Sequence, residues 1–298
     1  MSEDVIDPSR LGRTRLADGR QLGWAEWGPQ DGVPVLLCPG AATSRWLGFG
    51  GGIVDDLRVR LISVDRPGLG ASDPQPGRTL TDWALDVAQL SRLRGLSGLR
   101  VVGCSQGGPF ALACATAGIA TSAAVVSGTD ELANQALAHG MAPEVAALVR
   151  DVAADPVQAA DTFSRMGTAA QLWNMTLSMS ADVDRVVYTE ASFARAYKRA
   201  LNEAFSQGPA GYARDTVLSM APWPFNPGAI TIPVDLWYGG QDRSPVHSPD
   251  WGLSLAGRIP TARRHFLPGA GGCTVVDSRR SYSATPAGAR HRPRPGPW

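Results

Sequence analysis

The residues most able to do chemistry surround Ser105, in the segment Gly103-Cys104-Ser105-Gln106-Gly107. Glycines spaced in this G-x-S-x-G pattern allow a strand to turn sharply into a helix and leave the serine hydroxyl exposed. A serine held in this way can attack an acyl carbon. The pentapeptide is weak on its own, since the chain has 34 glycines and an ordinary glycine-rich turn is the alternative. Its position between an apolar run and a helical pattern favours the nucleophile.

An acyl oxygen that gains negative charge needs hydrogen-bond donors. The backbone N–H of Gln106, at the start of the predicted helix, is one candidate. The second is the N–H of Ala41 in the turn LLCPGAATS, with Gly40 as the neighbouring alternative. The same turn also fits a helix start capped by Thr43 or Ser44, and the two interpretations are compatible.

A base at this site needs an acid to orient it. Asp242 lies in the turn of DLWYGGQDRSP, after a predicted buried strand. Because the carboxyl ends of parallel strands meet at one sheet edge, Asp242 is expected near Ser105. Asp130, after VVSGT, is the rival acid. The alternative for Asp242 is a carboxylate that caps the following helix.

Short apolar runs alternate with helical patterns through the first 130 residues. VPVLLCPG, VRLISVDRPG and LRVVGC are continuous apolar runs that end in turn residues, as buried parallel strands do. RTLTDWALDVAQLSRLRGL predicts a helix capped at Thr79 or Thr81. This alternation predicts a parallel sheet covered on both faces.

The chain divides into four segments by pattern. Residues 1–130 predict the first part of an α/β core, 131–210 an inserted helical cap, and 211–277 the second part of the core, with a helix at about 247–257. Residues 278–298 lack Leu, Ile, Val, Met and Phe and are rich in Arg and Pro, which predicts a disordered basic tail.

With these motifs in place, the sequence resembles the α/β-hydrolase superfamily. The matching segments run from about residue 20 to 277 and include VLLCPGAATS, ISVDRPGLGASDP, VVGCSQGGPFALACA, GGQDRSPV and RRHFLPGAGG. The resemblance is strongest to small bacterial serine hydrolases with a helical cap, close to esterases and proline iminopeptidase-like enzymes. It implies an α/β fold with a mostly parallel eight-stranded sheet, and a serine, acid and histidine in that chain order.

The sequence departs from the family pattern at three places. Pro39-Gly40 stands where such proteins usually have His-Gly, which still leaves a backbone donor. Gly272 stands where the resemblance calls for the triad histidine, after the last strand. The helix expected after that strand is absent or altered. A shifted reading frame is a hypothesis that would explain the last two departures together.

Of the four histidines in the chain, three could replace the missing one. His247 follows the acid turn on the correct sheet edge and is the substitute candidate. His139 lies near the start of the cap and His291 in the tail, from which either could swing over the site. His265 lies seven residues before Gly272 in a predicted strand, about 20 Å away at 3.3 Å per residue, and is expected to pack there.

Composition narrows the functional classes. The formal net charge is only +1, so the basic surface typical of nucleic-acid-binding proteins is not expected. No apolar segment approaches the length needed to span a membrane. Cys38, Cys104, Cys114 and Cys273 show no metal-ligand spacing, so reduced thiols, no metal and no cofactor are expected. A glycine fingerprint for dinucleotides is lacking, and Ser105 stands where dehalogenases and epoxide hydrolases carry a carboxylate. A cytoplasmic protein that acts on a small molecule is predicted.

Two functions stay open at this point. The first is a serine hydrolase of a small ester, amide or lactone that forms an acyl intermediate on Ser105. The second is a ligand-binding or degenerate hydrolase that has lost its base at Gly272. Trp173, Met175, Met179 and Tyr188 lie at helical spacings in the cap and predict either a pocket lining or a core.

Overall fold

The computed structural model describes residues 5–273, and within them one sheet of eight strands carries the fold. In spatial order β1-β2-β4-β3-β5-β6-β7-β8, the first two pairings are antiparallel and the other five are parallel. The strands are β1 Arg10–Arg15, β2 Gln21–Trp27, β3 Val33–Cys38, β4 Val59–Val64, β5 Arg100–Cys104, β6 Ser122–Val126, β7 Val234–Gly239 and β8 Ala262–Leu267. The predicted sheet is confirmed.

Helices flank this sheet and fill the connection between β6 and β7. The helices are α1 Gly51–Asp56, α2 Leu80–Leu93, α3 Gly107–Thr116, α4 Pro143–Ala154, α5 Pro156–Met166, α6 Ala169–Met179, α7 Asp182–Tyr188, α8 Ala191–Ala204, α9 Ala210–Met220 and α10 Leu253–Arg258. No helix within residues 5–273 is both long and apolar enough to cross a lipid bilayer.

Local sequence explains several boundaries. Thr79 caps α2 by accepting from the Asp82 N–H, while the Asp82 carboxylate accepts from the Thr79 N–H. Of the two predicted caps, Thr79 is therefore the one used. Pro156 begins α5 directly after Asp155, whose carboxylate accepts from two N–H groups of the new helix. A proline lacks the donor that a continuous helix would need, so α4 and α5 are separate.

Two local predictions were wrong. Thr43 and Ser44 cap no helix, because residues 41–50 form turns and α1 begins only at Gly51. The helix predicted over 247–257 begins at Leu253, since Asp250 accepts from the N–H groups of Leu253 and Ser254 and sets the start there. A first strand, β1, was not predicted.

The other segment predictions stay predictions. The five helices α4 to α8 lie in the region where the sequence predicts the cap, and α9 begins at its last residue, Ala210. The division into core and cap is a statement about independent units, which the helix bounds do not test. The predicted disordered tail, His291 and the helix expected after β8 lie outside the described residues. The frame hypothesis rests partly on that tail and stays a prediction.

The two largest of three apolar clusters in the described residues hold the layers together. One lies between the sheet and its covering helices and includes Leu36, Ile62, Val101 and Phe110. The other lies mainly among the helices between β6 and β7. Because β3, β5, β6 and β7 are neighbours and parallel, their carboxyl ends meet at one edge, which places the segments after Cys38, Cys104, Val126 and Gly239 together.

Gly107 is the point at which α3 approaches this edge most closely. A Cβ built on Gly107 would lie 1.9 Å from the carbonyl oxygen of Cys38, closer than any real contact. We expect Gly107→Ala to lower the free energy of unfolding by about 3 kcal/mol, because β3 or α3 must shift. Urea unfolding followed by circular dichroism measures this change.

Gly257, inside α10, is the matched control. A Cβ there meets nothing within 4 Å, so Gly257→Ala should be neutral or raise the free energy of unfolding by up to about 1 kcal/mol. Equal stability of the two variants would contradict the close approach at Gly107.

Candidate active site

Ser105 lies between β5 and α3 with a left-handed backbone, at φ of 51°. This conformation is strained for a residue with a side chain. Three hydrogen bonds hold it: the Ser105 N–H donates to the Val126 carbonyl at 3.0 Å, and the Ser105 carbonyl accepts from Gly108 at 3.0 Å and Thr129 at 3.1 Å. The backbone therefore has the sharp turn that the glycine spacing predicts.

A histidine joins Ser105 to an acid. The His247 Nε2 atom lies 2.8 Å from the Ser105 Oγ atom, and the His247 Nδ1 atom lies 2.6 Å from an Asp242 carboxylate oxygen. The side chains of Asp242 and His247 are only 6% and 13% exposed, so water weakens this chain of hydrogen bonds little. An imidazole placed in this way can take the serine proton while the carboxylate stabilises the resulting charge.

The loop after β7 carries both Asp242 and His247, and local contacts fold it back on itself. The Asp242 carboxylate accepts from the Ser244 N–H at 3.0 Å, and the His247 N–H donates to the Ser244 carbonyl at 3.3 Å. The next residue, Ser248, is buried and its N–H donates to the Gly128 carbonyl at 3.1 Å. These bonds fix His247 between its two partners.

Asp242 is charged in this environment. Burial opposes its ionisation, but the His247 ring, the hydrogen bond from that ring and the Ser244 N–H together hold the pKa of Asp242 below its ordinary value. The carboxylate is therefore an acceptor toward His247 rather than a proton donor.

Asp130, the rival acid, occupies a different position. It is fully buried, pairs with Arg258 and accepts from the Ser248 hydroxyl at 3.3 Å. Burial raises its pKa, and Arg258 opposes that rise. Through Ser248 it supports the residue next to His247 and leaves the imidazole to Asp242.

The other two histidines in the described part of the chain lie away from Ser105. His265 stacks on Trp237 with ring centres 3.9 Å apart, and its Nε2 atom lies 2.7 Å from an Asp235 oxygen. His139 is exposed in the segment before α4. The packing position expected for His265 thus agrees with its contacts.

Gly272 lies beside Asp242, where the resemblance expected a histidine. A Cβ built on Gly272 would lie 2.9 Å from an Asp242 carboxylate oxygen. The Gly272 and Cys273 N–H groups both donate to Asp184, at 2.9 Å each. The glycine therefore leaves the carboxylate free for His247, and a cap-region acid holds the loop.

The two predicted oxyanion donors flank Ser105 from different loops. A Cβ built on Gly40 would lie 3.6 Å from the Ser105 Cβ atom, so the turn that carries Gly40 and Ala41 runs alongside the serine. Gln106 follows Ser105 at the start of α3, and its side chain donates to Thr216 and Ser219 at 3.3 Å each. Both predicted donors therefore belong to segments that adjoin Ser105.

A cavity of about 190 Å³ opens above Ser105 and His247. Three of the four cap side chains singled out by spacing line it, namely Met175, Met179 and Tyr188. Trp173 instead packs edge-on against Tyr197, with ring centres 6.1 Å apart. Other lining residues are mostly apolar and include Leu37, Leu47, Phe49, Val126, Leu172 and Val246.

Among the described residues that line this cavity, the acidic and basic side chains other than His247 are two aspartates. Asp184 and Asp242 contribute carboxylates, whereas none of the described residues that line the cavity is Lys or Arg. Asp184 is 4% exposed and lies on α7. The cavity therefore suits an uncharged group better than an anion.

Comparisons with known proteins identify the family and the fold. A model of the alpha/beta hydrolase family matches residues 35–279. A non-heme chloroperoxidase from Streptomyces lividans is 32% identical over 108 residues, which cover 33% of this chain and 36% of that protein. The match thus spans about a third of the length of that relative.

Two solved structures have a similar fold. An enol-lactonase from Burkholderia xenovorans LB400 superposes with a TM-score of 0.67 at 19% identity, covering 91% of this chain and 97% of the lactonase. An esterase from Rhodococcus sp. ECU1013 gives a TM-score of 0.60 at 21% identity, covering 92% and 96%. The fold and the family match together show that the chain belongs to the alpha/beta hydrolase family.

The structure brings His247, the substitute candidate, within hydrogen-bond distance of Ser105 and Asp242. The family pattern has its histidine after the last strand, and the sequence predicts the start of a helix at His247. The sequence feature that indicates this arrangement is the short spacing between Asp242 and His247 in one loop at the carboxyl edge of the sheet. An Asx-turn from Asp242 to Ser244 folds this loop back.

The contact between His247 and Asp242 can be tested without any substrate. A short N–H to carboxylate hydrogen bond gives a far-downfield imidazole proton resonance, and we expect one in ¹⁵N-histidine-labelled protein. It should disappear in Asp242→Asn, because the amide is a weaker acceptor. The measurement is a one-dimensional proton spectrum at low temperature.

Asp235→Asn supplies the matched control, since Asp235 faces His265 at a similar distance of 2.7 Å. That variant should keep the His247 resonance. Survival of the signal in Asp242→Asn would exclude the contact.

Proposed function

We propose that this protein is a serine hydrolase that cleaves small, uncharged esters or lactones through an acyl intermediate on Ser105. The observation that carries the proposal is the His247 ring, which lies within hydrogen-bond distance of both Ser105 and Asp242. Membership of the alpha/beta hydrolase family supports it. Amides belong to the same reaction class and need a better proton donor for their leaving group.

In the acylation step, the Ser105 Oγ atom attacks the substrate carbonyl carbon and its proton passes to the His247 Nε2 atom. The carbonyl oxygen becomes an oxyanion and accepts from the N–H groups of Gln106 and Ala41. When the oxyanion collapses, the bond to the leaving oxygen breaks, and His247 gives that oxygen its proton. The alcohol departs and Ser105 carries the acyl group.

Water completes the cycle by the same route. It gives a proton to His247 as it attacks the acyl carbon, and the tetrahedral intermediate again lies against the two backbone donors. Collapse breaks the bond to the Ser105 Oγ atom, which recovers the proton from His247. A carboxylic acid is released, or a hydroxy acid when the substrate is a lactone.

A degenerate, ligand-binding protein is the alternative function that Gly272 raised. Without a base, kcat would fall by about 10⁶. The position of His247 supports a working base and so favours the enzyme. A cytoplasmic location stays a prediction.

The first experiment removes the nucleophile and the base. We expect Ser105→Ala and His247→Ala each to lower kcat for a p-nitrophenyl ester by about 10⁴ to 10⁶, since each removes one partner of the proton transfer. A fluorophosphonate probe should label the native protein at Ser105, label His247→Ala slowly and leave Ser105→Ala unlabelled. Ester turnover and peptide mapping measure these results.

Histidine controls separate a base from a general effect of losing imidazole. His265→Ala and His139→Ala should keep kcat within about threefold, because neither residue touches the triad. Gly272→His should lower the activity of the native protein, since its Cβ crowds Asp242. Full activity in His247→Ala, or no labelling of the native protein, would overturn the proposal.

The second experiment tests the charge of the substrate. p-Nitrophenyl butyrate and mono-p-nitrophenyl succinate are similar in length, but only the succinate carries a carboxylate. We expect kcat/KM to be about 10- to 100-fold lower for the anion, because Asp184 and Asp242 repel it across a poorly solvated cavity. Steady-state kinetics at low ionic strength measures the ratio.

Two variants on α7 locate the effect. Asp184→Asn should bring the kcat/KM values of the neutral and the anionic ester closer together. Asp182→Asn should leave their ratio unchanged, because the Asp182 side chain is 89% exposed and does not line the cavity. A native protein that prefers the anionic ester would contradict the assignment of an uncharged substrate.

A further inference from the structure

Arg66 lies beneath the turn that carries the predicted second oxyanion donor. Its side chain is 0% exposed. The Nη1 atom donates to the Pro39 carbonyl at 2.6 Å, and the Nη2 atom donates to the Gly40 carbonyl at 3.0 Å. One guanidinium thus holds two consecutive carbonyls of the same turn.

Those two carbonyls belong to the peptide groups whose N–H groups could bind an oxyanion. The Pro39 carbonyl shares its peptide plane with the Gly40 N–H, and the Gly40 carbonyl shares its plane with the Ala41 N–H. Within a trans peptide the N–H points opposite to the C=O, and the described chain has no cis peptide. By fixing both carbonyls on its own side, Arg66 turns both N–H groups away from itself.

A positively charged guanidinium that donates to a carbonyl oxygen also polarises the rest of that peptide group. Hydrogen bonds in a chain strengthen one another, and the effect is larger where the local dielectric constant is low. The N–H groups of Gly40 and Ala41 are therefore better donors when a buried guanidinium binds their carbonyls. A neutral residue at 66 would fill the space without this effect.

Helix α9 holds Arg66 in this position. The Arg66 Nε atom donates to the Asp215 carboxylate at 2.5 Å, and Asp215 is fully buried. The same helix carries Thr216 and Ser219, which accept from the Gln106 side chain. One helix thus contacts Gln106, which carries one predicted donor, and Arg66, which holds the turn that carries the other.

We propose that Arg66, anchored by Asp215, is a positioning residue that aligns and polarises the Gly40 and Ala41 N–H groups for the oxyanion. This role rests on the proposed hydrolase function. Arg66 belongs to the motif VDRPGLG, which thereby orients the oxyanion donors, a task that none of Ser105, Asp242 and His247 performs.

Arg66→Lys keeps a charge but cannot bind both carbonyls and Asp215 together. We expect kcat for a neutral ester to fall about 10- to 100-fold with little change in KM, because the donors matter only once the oxygen is charged. The affinity for a boronic acid, which forms a tetrahedral adduct on serine, should fall by a similar factor. The affinity for the carboxylic acid product should stay the same.

Arg78→Met is the matched control for a purely structural effect. Arg78 is buried and also pairs with Asp215, but its backbone contact is the Pro67 carbonyl instead of the turn at Pro39. If Arg78→Met lowers the melting temperature as much as Arg66→Lys does, its kcat should still stay within about threefold of the native value. Asp215→Asn, which loosens Arg66, provides a second variant in case Arg66→Lys folds poorly.

Amide hydrogen exchange gives a readout that needs no activity. In Arg66→Lys the Gly40 and Ala41 amides should exchange faster while the Gly108 amide on α3 keeps its rate. Unchanged exchange, or a loss of kcat no larger than in Arg78→Met, would overturn the role of Arg66. A native protein that neither turns over esters nor binds the boronic acid would overturn the hydrolase function, while the exchange data would still report on the turn.

Discussion

The left-handed backbone at Ser105 is the constraint on which the site depends. A residue with a side chain adopts it at a cost of about 1 to 2 kcal/mol, so the surroundings must hold it there. Its N–H and carbonyl are bonded to Val126, Gly108 and Thr129, which belong to the next strand, the following helix and the loop after that strand. Gly107 lets α3 approach β3 closely enough for these bonds to form together. The strain is thus balanced by packing that also exposes the hydroxyl.

Asp242 is the fixed point around which the base is arranged. Two loops reach it, one through His247 and the other through Gly272. A Cβ at 272 would lie 2.9 Å from the Oδ1 atom of Asp242, whose Oδ2 atom contacts His247, so a side chain at 272 would crowd the carboxylate that His247 uses. A glycine at 272 and a histidine at 247 are therefore complementary. Acid and base then lie in one loop, whose backbone Asp130 supports through Ser248.

Much of the fold was predictable because buried parallel strands leave continuous apolar runs and the elbow has a distinctive spacing. Ser105 and Asp242 follow from their place after such strands, since carboxyl ends share an edge. His247 was harder to predict, because its short spacing from Asp242 indicates only that the two share a loop, while the loop conformation depends on contacts such as that of Ser244 with Asp242. The missed strand β1 has a half-exposed pattern rather than an apolar run, and it depends on pairing with β2.

The buried charges of Arg66 and Asp242 are arranged to stabilise the charge-separated state of the proposed reaction more than the neutral ester and the uncharged serine. As Ser105 attacks, negative charge develops on the oxygen beside Gly40 and positive charge on the His247 ring. Arg66 lies on the first side and Asp242 on the second, each held by partners that need not move. Fixed charges of this kind lower the free energy of the charge-separated state more than that of the ground state, which is the condition for raising kcat. In the proposed reaction the carboxylate of Asp184 acts earlier, because it would repel an anionic substrate before any bond is made.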